Sequence, residues 1–177
     1  QTVTLHRTLA PSGTVIPRSF MSGAWDKGKN AVVELTTHLL DAETRELTAT
    51  SVTSMIIRGE GGFGSEPAPH DGWELPDRPA DLVDVQKTSP DQALLYRLNG
   101  DRNPLHSDPA MAAMIGFEKP ILHGLCTMGF AGRALLEGML GSDVEAFGSV
   151  SVRFAAPVIP GDELTTSMWR TETGAVF

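Results

Sequence analysis

Cysteine is nearly absent from this sequence. Cys126 is the only cysteine among the 177 residues, so an intrachain disulfide is impossible and a cysteine-based zinc site is not expected. This usage fits a reducing compartment. Long apolar runs are also missing. No stretch approaches the roughly 20 residues that a membrane helix needs, so we expect no membrane association.

Positive charge is scarce as well. The chain has 14 Lys and Arg residues against 22 Asp and Glu residues, for a formal net charge of −8. Proteins that bind nucleic acid gather basic residues against the phosphate backbone, and no basic patch occurs here, so we expect no nucleic-acid partner. Hydrophobic residues make up 41% of the chain, which predicts one well-formed core rather than disorder.

The first third of the chain predicts β-strands. Apolar and β-branched residues alternate with polar ones over 31–40 and again over 47–57, as half-buried strands require. The polar segment 41–46 predicts that these two runs pair as a hairpin. Strand patterns return at about 147–155 and 163–170.

The middle of the chain predicts a linker followed by helices. Residues 59–81 are rich in glycine and proline, which is typical of a linker. Ser89 and Asp108 each precede a proline and predict the starts of short helices that end near residues 98 and 115. A longer helix is predicted from about His123 to Leu140. Its several glycines predict close approach to a sheet or a ligand.

Both ends of the chain predict a fragment. The sequence starts at Gln1 within a strand pattern, without a methionine or a signal peptide, and stops at Phe177 as another strand begins. Sheets cut in this way would expose unpaired edges that favour self-association.

The turn-rich segment 96–106, Tyr-Arg-Leu-Asn-Gly-Asp-Arg-Asn-Pro-Leu-His, carries the strongest chemical signal. Gly100 permits dihedrals that other residues resist, and proline drives Asn103 out of the helical region. The resulting bend can bring the carboxylate of Asp101 and the imidazole of His106 to one water molecule. Such a pair can take a proton from water at one group and return a proton from the other.

Two other interpretations fit the same loop. Asp101 and Asn103 can be the acceptor residues of Asx turns, with His106 capping a helix. Alternatively, Asp101, Asn103 and His106 can be three ligands of a metal ion.

The start of the long helix is a second candidate site. Its first amides lack partners within the helix, so the Gly124 N–H could hold a carbonyl oxygen that gains negative charge. An ordinary helix start after Pro120 explains the residues equally well. Cys126, three positions after His123, could be a nucleophile, although a small buried apolar residue is the interpretation that its type favours.

Three segments together resemble one family. Residues 96–106 resemble the signature loop of the MaoC-like, (R)-specific enoyl-CoA hydratases, also called hydratase 2. Residues 120–124, Pro-Ile-Leu-His-Gly, resemble the start of that family's long helix, and residues 154–162 resemble its later strand and turn. The spacing among the three segments also matches. Residues 1–64 resemble the strand half of the degenerate first domain in two-domain members.

The resemblance implies an α+β hot-dog fold, in which a curved antiparallel sheet wraps around one long helix, as part of a double hot dog. It divides the chain into three parts. These are the strand half of a degenerate N-terminal unit at 1–64, a linker at 65–86, and a catalytic unit at 87–177 that lacks its C-terminal strands.

The resemblance also implies an activity in fatty acid metabolism, the reversible hydration of trans-2-enoyl-CoA to (3R)-3-hydroxyacyl-CoA. Asp101 and His106 would activate the water, Asn103 would orient the loop, and the Gly124 amide would hold the thioester oxygen. No cofactor or metal is implied. The implied partners are the acyl-CoA substrate and a second copy of the chain in a homodimer. The implied location is the cytoplasm, or the peroxisome in a eukaryote.

Three other functions stay open. A dehydratase of fatty acid synthesis would act on acyl carrier protein instead of CoA. A hot-dog thioesterase would carry its carboxylate on or near the long helix, where Glu137 is the only acid and lies far from His123. A non-catalytic acyl-CoA-binding domain would have no need of the Asp101 and His106 pair.

Overall fold

A computed structural model describes residues 1–69 and 74–177, which form two units. The first unit comprises Gln1–Glu74 and Val144–Arg153, and the second comprises Leu75–Asp143 and Phe154–Phe177. In the described residues no helix is both long and apolar enough to cross a membrane.

The first unit is built on an antiparallel sheet with the strand order β2-β3-β4-β1-β6. Its strands are β1 (Thr2–Leu5), β2 (Val15–Lys27), β3 (Asn30–Asp41), β4 (Leu47–Arg58) and β6 (Ser149–Ser151). The predicted hairpin is confirmed, because β3 and β4 pair from Asn30 opposite Arg58 to Leu40 opposite Leu47. A short 3₁₀ turn, Val144–Ala146, also belongs to this unit.

The strand β6 joins the first unit across a long stretch of sequence. The strand β1 pairs with β4 on one side and with β6 on the other, so that Thr2 faces both Val52 and Ser151. The N-terminal amino group extends this contact by donating to the carbonyl oxygen of Val152 at 2.9 Å. The strand predicted over 147–155 is therefore shorter than expected, because the four-residue β1 offers few partners.

Asp26 holds the glycine-rich segment after β4 in place. Its carboxylate accepts hydrogen bonds from the amides of Gly28, Gly62 and Gly64 at 2.7, 3.0 and 2.5 Å. The bonds from Gly62 and Gly64 are the main reason why the pKa of Asp26 is lowered. A Cβ at Gly61 would lie 2.2 Å from the carbonyl oxygen of Gly28, so only glycine fits at this position. These residues form an ordered loop.

The second unit packs helices against a three-stranded sheet of order β5-β7-β8. Its strands are β5 (Leu82–Lys87), β7 (Glu163–Arg170) and β8 (Ala175–Val176), and its helices are α1 (Gln92–Tyr96), α2 (Pro109–Ile115) and α3 (Gly124–Leu140). The strand β5 overlaps the predicted linker at 65–86. Prolines dominate the composition of that segment, but Val83 and Val85 suit a strand and pair with Ser167 and Thr165. Residues 70–73 of the predicted linker lie outside the described residues.

The helix α3 packs on β5 and β7. A Cβ at Gly138 would lie 3.4 Å from Met168 Cε and 3.5 Å from Leu82 Cδ1, which are ordinary van der Waals distances, so this contact with the sheet does not require a glycine. Met168 is almost completely buried at this contact. A long helix laid against an antiparallel sheet is the arrangement that the hot-dog prediction requires.

Two helices begin as the sequence predicts and one does not. Asp108 caps α2 by accepting the amide of Ala110 at 2.8 Å, and α3 begins directly after His123. The helix α1 begins at Gln92 rather than directly after Ser89, because Ser89 closes a turn first: its hydroxyl accepts the amide of Asp91 and its carbonyl accepts that of Gln92. The helix also ends at Tyr96, and a 3₁₀ turn, Arg97–Asn99, continues to the loop.

Candidate active site

The loop between α1 and α2 bends as the sequence predicts. Gly100 has a φ of 106°, in the left-handed region that favours glycine. Asn103 has a ψ of 123°, outside the helical range, as expected before proline. Both Asx contacts are present, because Asp101 Oδ1 accepts the amide of Asn103 at 3.2 Å and Asn103 Oδ1 accepts that of Leu105 at 3.0 Å. These turns shape the loop and leave the second carboxylate oxygen of Asp101 available for chemistry.

Arg97 ties the two ends of this loop together. Its guanidinium donates to the carbonyl oxygen of Arg102 at 2.8 Å and to the hydroxyl of Ser107 at 3.3 Å. No role for Arg97 follows from its sequence position, since an arginine at the end of a helix ordinarily faces solvent. Its contacts show that it holds the segment carrying Asp101 and His106.

The tautomer of His106 follows from one contact. His106 lies in a 3₁₀ turn, Pro104–His106, and its Nδ1 is 2.8 Å from the carbonyl oxygen of Ile121. A carbonyl oxygen only accepts, so Nδ1 carries the hydrogen and Nε2 keeps a free lone pair in the neutral ring. The ring is half-buried. His106 is therefore arranged to take a proton at Nε2.

His123 lies against both residues of the pair. Its ring stacks on that of His106 with a centroid separation of 3.8 Å and an interplanar angle of 27°. Its Nε2 lies 3.2 Å from the main-chain oxygen of Asp101. Burial lowers the pKa of His123, and positive charge on His106 lowers it further. The local sequence around His123 indicates a helix start and carries no signal for a stacking contact 17 residues away.

The side chains of Asp101, His106 and His123 form a cluster in which one carboxylate oxygen and one nitrogen from each ring lie within 4.8 Å of one another. A metal ion needs ligand atoms that converge on one point at about 2 Å. The two imidazole rings are stacked instead, so their lone pairs lie in nearly parallel planes and do not converge. Asn103, the third ligand in the metal interpretation, has its side-chain oxygen on the Leu105 amide. The arrangement suits proton transfer better than metal binding.

Gly124 is the first residue of α3, in the same unit as the cluster. The carbonyl oxygen of His123 accepts the amides of Cys126 and Thr127 at 3.1 and 3.2 Å, and the amide of Gly124 has no acceptor within the helix. A Cβ at Gly124 would lie 3.2 Å from the ring of Phe154. The close ring is also consistent with a glycine that serves packing alone. The role of the Gly124 amide as an oxyanion donor therefore stays a prediction.

Cys126 as a nucleophile and Glu137 as the acid of a thioesterase do not fit their surroundings in the structure. Cys126 is buried in a small core with Ala93 and Leu122, and burial raises the pKa of its thiol, which disfavours the nucleophilic thiolate. Glu137, the acid that a thioesterase would need, is exposed near the other end of α3. It lies 3.8 Å from the guanidinium of Arg133.

The fold and the site together define a hot-dog domain in which Asp101, His106 and His123 cluster at the start of the long helix. The model of the MaoC like domain family matches residues 73–177, so the chain belongs to this family. A solved MaoC-like dehydratase from Phytophthora capsici covers 99% of the chain with a TM-score of 0.91 and 40% identity, over 63% of its own chain. A Mycobacterium tuberculosis protein described as a double hotdog fold superposes at 17% identity with a TM-score of 0.56 over 98% of the chain and 61% of its own, which shows the fold alone.

Two curated relatives carry names that describe reactions. The 3-hydroxyacyl-thioester dehydratase Y of Mycobacterium tuberculosis is 46% identical over 100% of the chain. The peroxisomal enoyl-CoA hydratase 2 of Arabidopsis thaliana is 40% identical over 96% of the chain. The chain spans 63% and 58% of the lengths of these two relatives.

Proposed function

We propose that this chain carries the catalytic residues of an (R)-specific enoyl-CoA hydratase, which converts trans-2-enoyl-CoA and water reversibly into (3R)-3-hydroxyacyl-CoA. The observation that carries the proposal is the contact between His106 Nδ1 and the Ile121 carbonyl. It leaves Nε2 as the nitrogen that can act as a base, in a residue that clusters with Asp101 and His123. The names of the two relatives, a hydratase and a thioester dehydratase, describe the two directions of one reaction.

In the proposed reaction a water molecule lies between Asp101 and His106. His106 Nε2 takes one hydrogen of the water while its oxygen bonds to C3 of the enoyl group, and the Asp101 carboxylate accepts a hydrogen bond from the other hydrogen. The electrons of the double bond move toward the thioester oxygen, where the Gly124 amide stabilises the negative charge. His106 then returns its proton to C2, so that the net change is the addition of one water. Asn103 holds the loop in the required bend.

The experiment separates this activity from its rivals. Crotonyl-CoA loses its enoyl absorbance on hydration without releasing a thiol, whereas a thioesterase releases free CoA. Turnover of the same acyl group on acyl carrier protein is measured beside it. Faster turnover on that carrier than on CoA would favour the dehydratase of fatty acid synthesis. Tight binding of crotonyl-CoA without any turnover would instead support a non-catalytic acyl-CoA-binding domain.

We also propose that the protein forms a homodimer in the cytoplasm, or in the peroxisome of a eukaryote. The 13-residue strand β2 lies at the edge of its sheet and exposes Phe20 and Met21. Long apolar edge strands favour pairing with another chain. The name of the Arabidopsis relative includes the peroxisome. Light scattering of the purified protein tests the dimer, and fluorescence microscopy of the tagged protein in its own cell tests the location.

A further inference from the structure

His123 is a buried histidine that takes no part in the proposed proton transfers. It is 2% exposed, and its ring lies 4.7 Å from the ring of Tyr96 and 3.8 Å from that of His106 between centroids. Its Nδ1 is buried and has no hydrogen-bond partner among the described residues. An unpaired buried ring nitrogen costs free energy that a phenylalanine would not incur. An imidazole at this position therefore needs another explanation.

Two contacts connect His123 to the acid–base pair. Its Nε2 lies 3.2 Å from the main-chain oxygen of Asp101, and since that oxygen only accepts, Nε2 carries the hydrogen. The face of the same ring covers the ring of His106. One side chain thus touches the backbone of the first reacting residue and the side chain of the second.

The charge state of His123 suits this place. Burial favours the neutral ring, and positive charges on His106 and Arg97 favour it further, while Asp101 acts in the opposite direction. His106 becomes an imidazolium when it takes a proton, and a second imidazolium stacked on it would repel it. A neutral ring presents an aromatic face that tolerates the neighbouring cation.

We propose that His123 is a positioning residue, which aligns Asp101 through its Nε2–H donor and His106 through ring stacking. This inference rests on the proposed hydration and adds to it a residue that exchanges no proton with the substrate. Small displacements of reacting groups reduce rates strongly, by as much as about 10²-fold for 1 Å. The loss of His123 should therefore lower kcat while substrate binding is retained.

Three substitutions in the intact protein separate the two contacts. His123→Gln keeps an N–H donor for the Asp101 carbonyl, His123→Phe keeps an aromatic face for His106, and His123→Ala keeps neither. We expect kcat on crotonyl-CoA to fall about 10–10²-fold in the alanine variant and less in the other two, with KM changed less than about twofold. Cys126→Ala is the packing control: like His123 it is buried, and its loss should lower Tm without lowering kcat.

A double mutant distinguishes positioning from packing. If His123 acts through His106, then His123→Ala should cause little further loss in the His106→Ala background. An equal loss in both backgrounds, a rise in KM at unchanged kcat, or wild-type kcat in all three variants would overturn the proposal.

Nitrogen NMR of the ring atoms gives a result that does not depend on activity. It should show hydrogen on Nδ1 of His106 and on Nε2 of His123 in the wild-type protein, and His123→Ala should broaden or shift the His106 signals. A protein with these tautomers but no hydration would remove the proposed function and leave the assigned geometry intact. Other tautomers would overturn the positioning role, even in an active hydratase.

Discussion

Gly124 faces the ring of Phe154 so closely that a Cβ would lie 3.2 Å from its Cε1 and Cζ atoms. The ring is about half exposed and can shift, so a small side chain at Gly124 requires only a local adjustment. The position therefore allows the effect of an added carbon to be separated from the effect of a lost amide.

We predict that Gly124→Ala lowers kcat less than tenfold and that Gly124→Pro lowers it about 10²–10³-fold further, the usual effect of removing one oxyanion donor. Both variants add a Cβ, but only proline removes the N–H. Proline suits the first position of a helix, and His123 has the extended ψ of 133° that a residue before proline requires. The measurement is kcat together with Tm. Equal kcat values in two folded variants would show that the amide takes no part.

The acid–base pair should act as a unit. We predict that Asp101→Asn and His106→Ala each lower kcat about 10²–10⁴-fold with little change in KM, because they move a proton or orient water rather than bind CoA. The double variant should be little worse than the worse single one. Asp91→Asn, an exposed carboxylate at the start of α1, is the matched control and should turn over normally. Near-wild-type kcat in either single variant would remove the assignment.

Asp81 should make stability depend on pH in the acid range. The side chain of Arg78 and the amide of Arg170 donate to its carboxylate and lower its pKa from 3.8 to about 2. The carboxylate therefore stabilises the fold fully above the unfolded-state pKa of about 4, and this contribution is lost as the pH falls toward 2. We predict that Asp81→Asn lowers Tm at pH 7 and that the difference from wild type narrows between pH 5 and pH 3.

The control for Asp81 is the neighbouring exposed residue Asp77. Asp77→Asn should leave Tm close to that of the wild type throughout the titration. A difference for Asp81→Asn that stays constant down to pH 3 would contradict the role of ionisation.

Met168 should contribute strongly to the stability of the second unit. It is 1% exposed, and its Cε lies next to the Cα of Gly138, where α3 meets β7. We predict that Met168→Ala lowers the free energy of unfolding by about 2–5 kcal/mol, because it removes buried area and leaves a cavity. Urea unfolding measures the change. The control is Met114→Ala, at a position 79% exposed, which should change the free energy of unfolding by less than about 0.5 kcal/mol. An equally small change for Met168→Ala would refute the packing described.

The elements that the sequence predicts well are those whose signals are local. The β3–β4 hairpin follows from alternation across a polar turn, and α2 follows from Asp108 before a proline. The bend at Gly100 and Asn103 follows from the dihedral preferences of glycine and of a residue before proline. The Asp101 and His106 pair could be proposed because both groups lie in one short loop.

The features that the sequence does not reveal depend on residues far apart in the chain. Hydrophobic periodicity does not predict that His123 lies between two aromatic rings, because a histidine here is equally consistent with an ordinary helix start. The tautomer of His106 depends on Ile121, 15 residues away. The pairing of β1 with β6 could not be foreseen, because strand partners so distant leave no local pattern.

That last pairing has a consequence for synthesis on the ribosome. Thr2 leaves the ribosome 149 residues before its partner Ser151. At about 5–20 residues per second, β1 waits roughly 7–30 s with one edge unpaired. Loop closure over such a distance is slow compared with forming the β3–β4 hairpin. The first unit therefore completes its sheet only after residues 75–143 of the second unit have been made, although four of its five strands precede them.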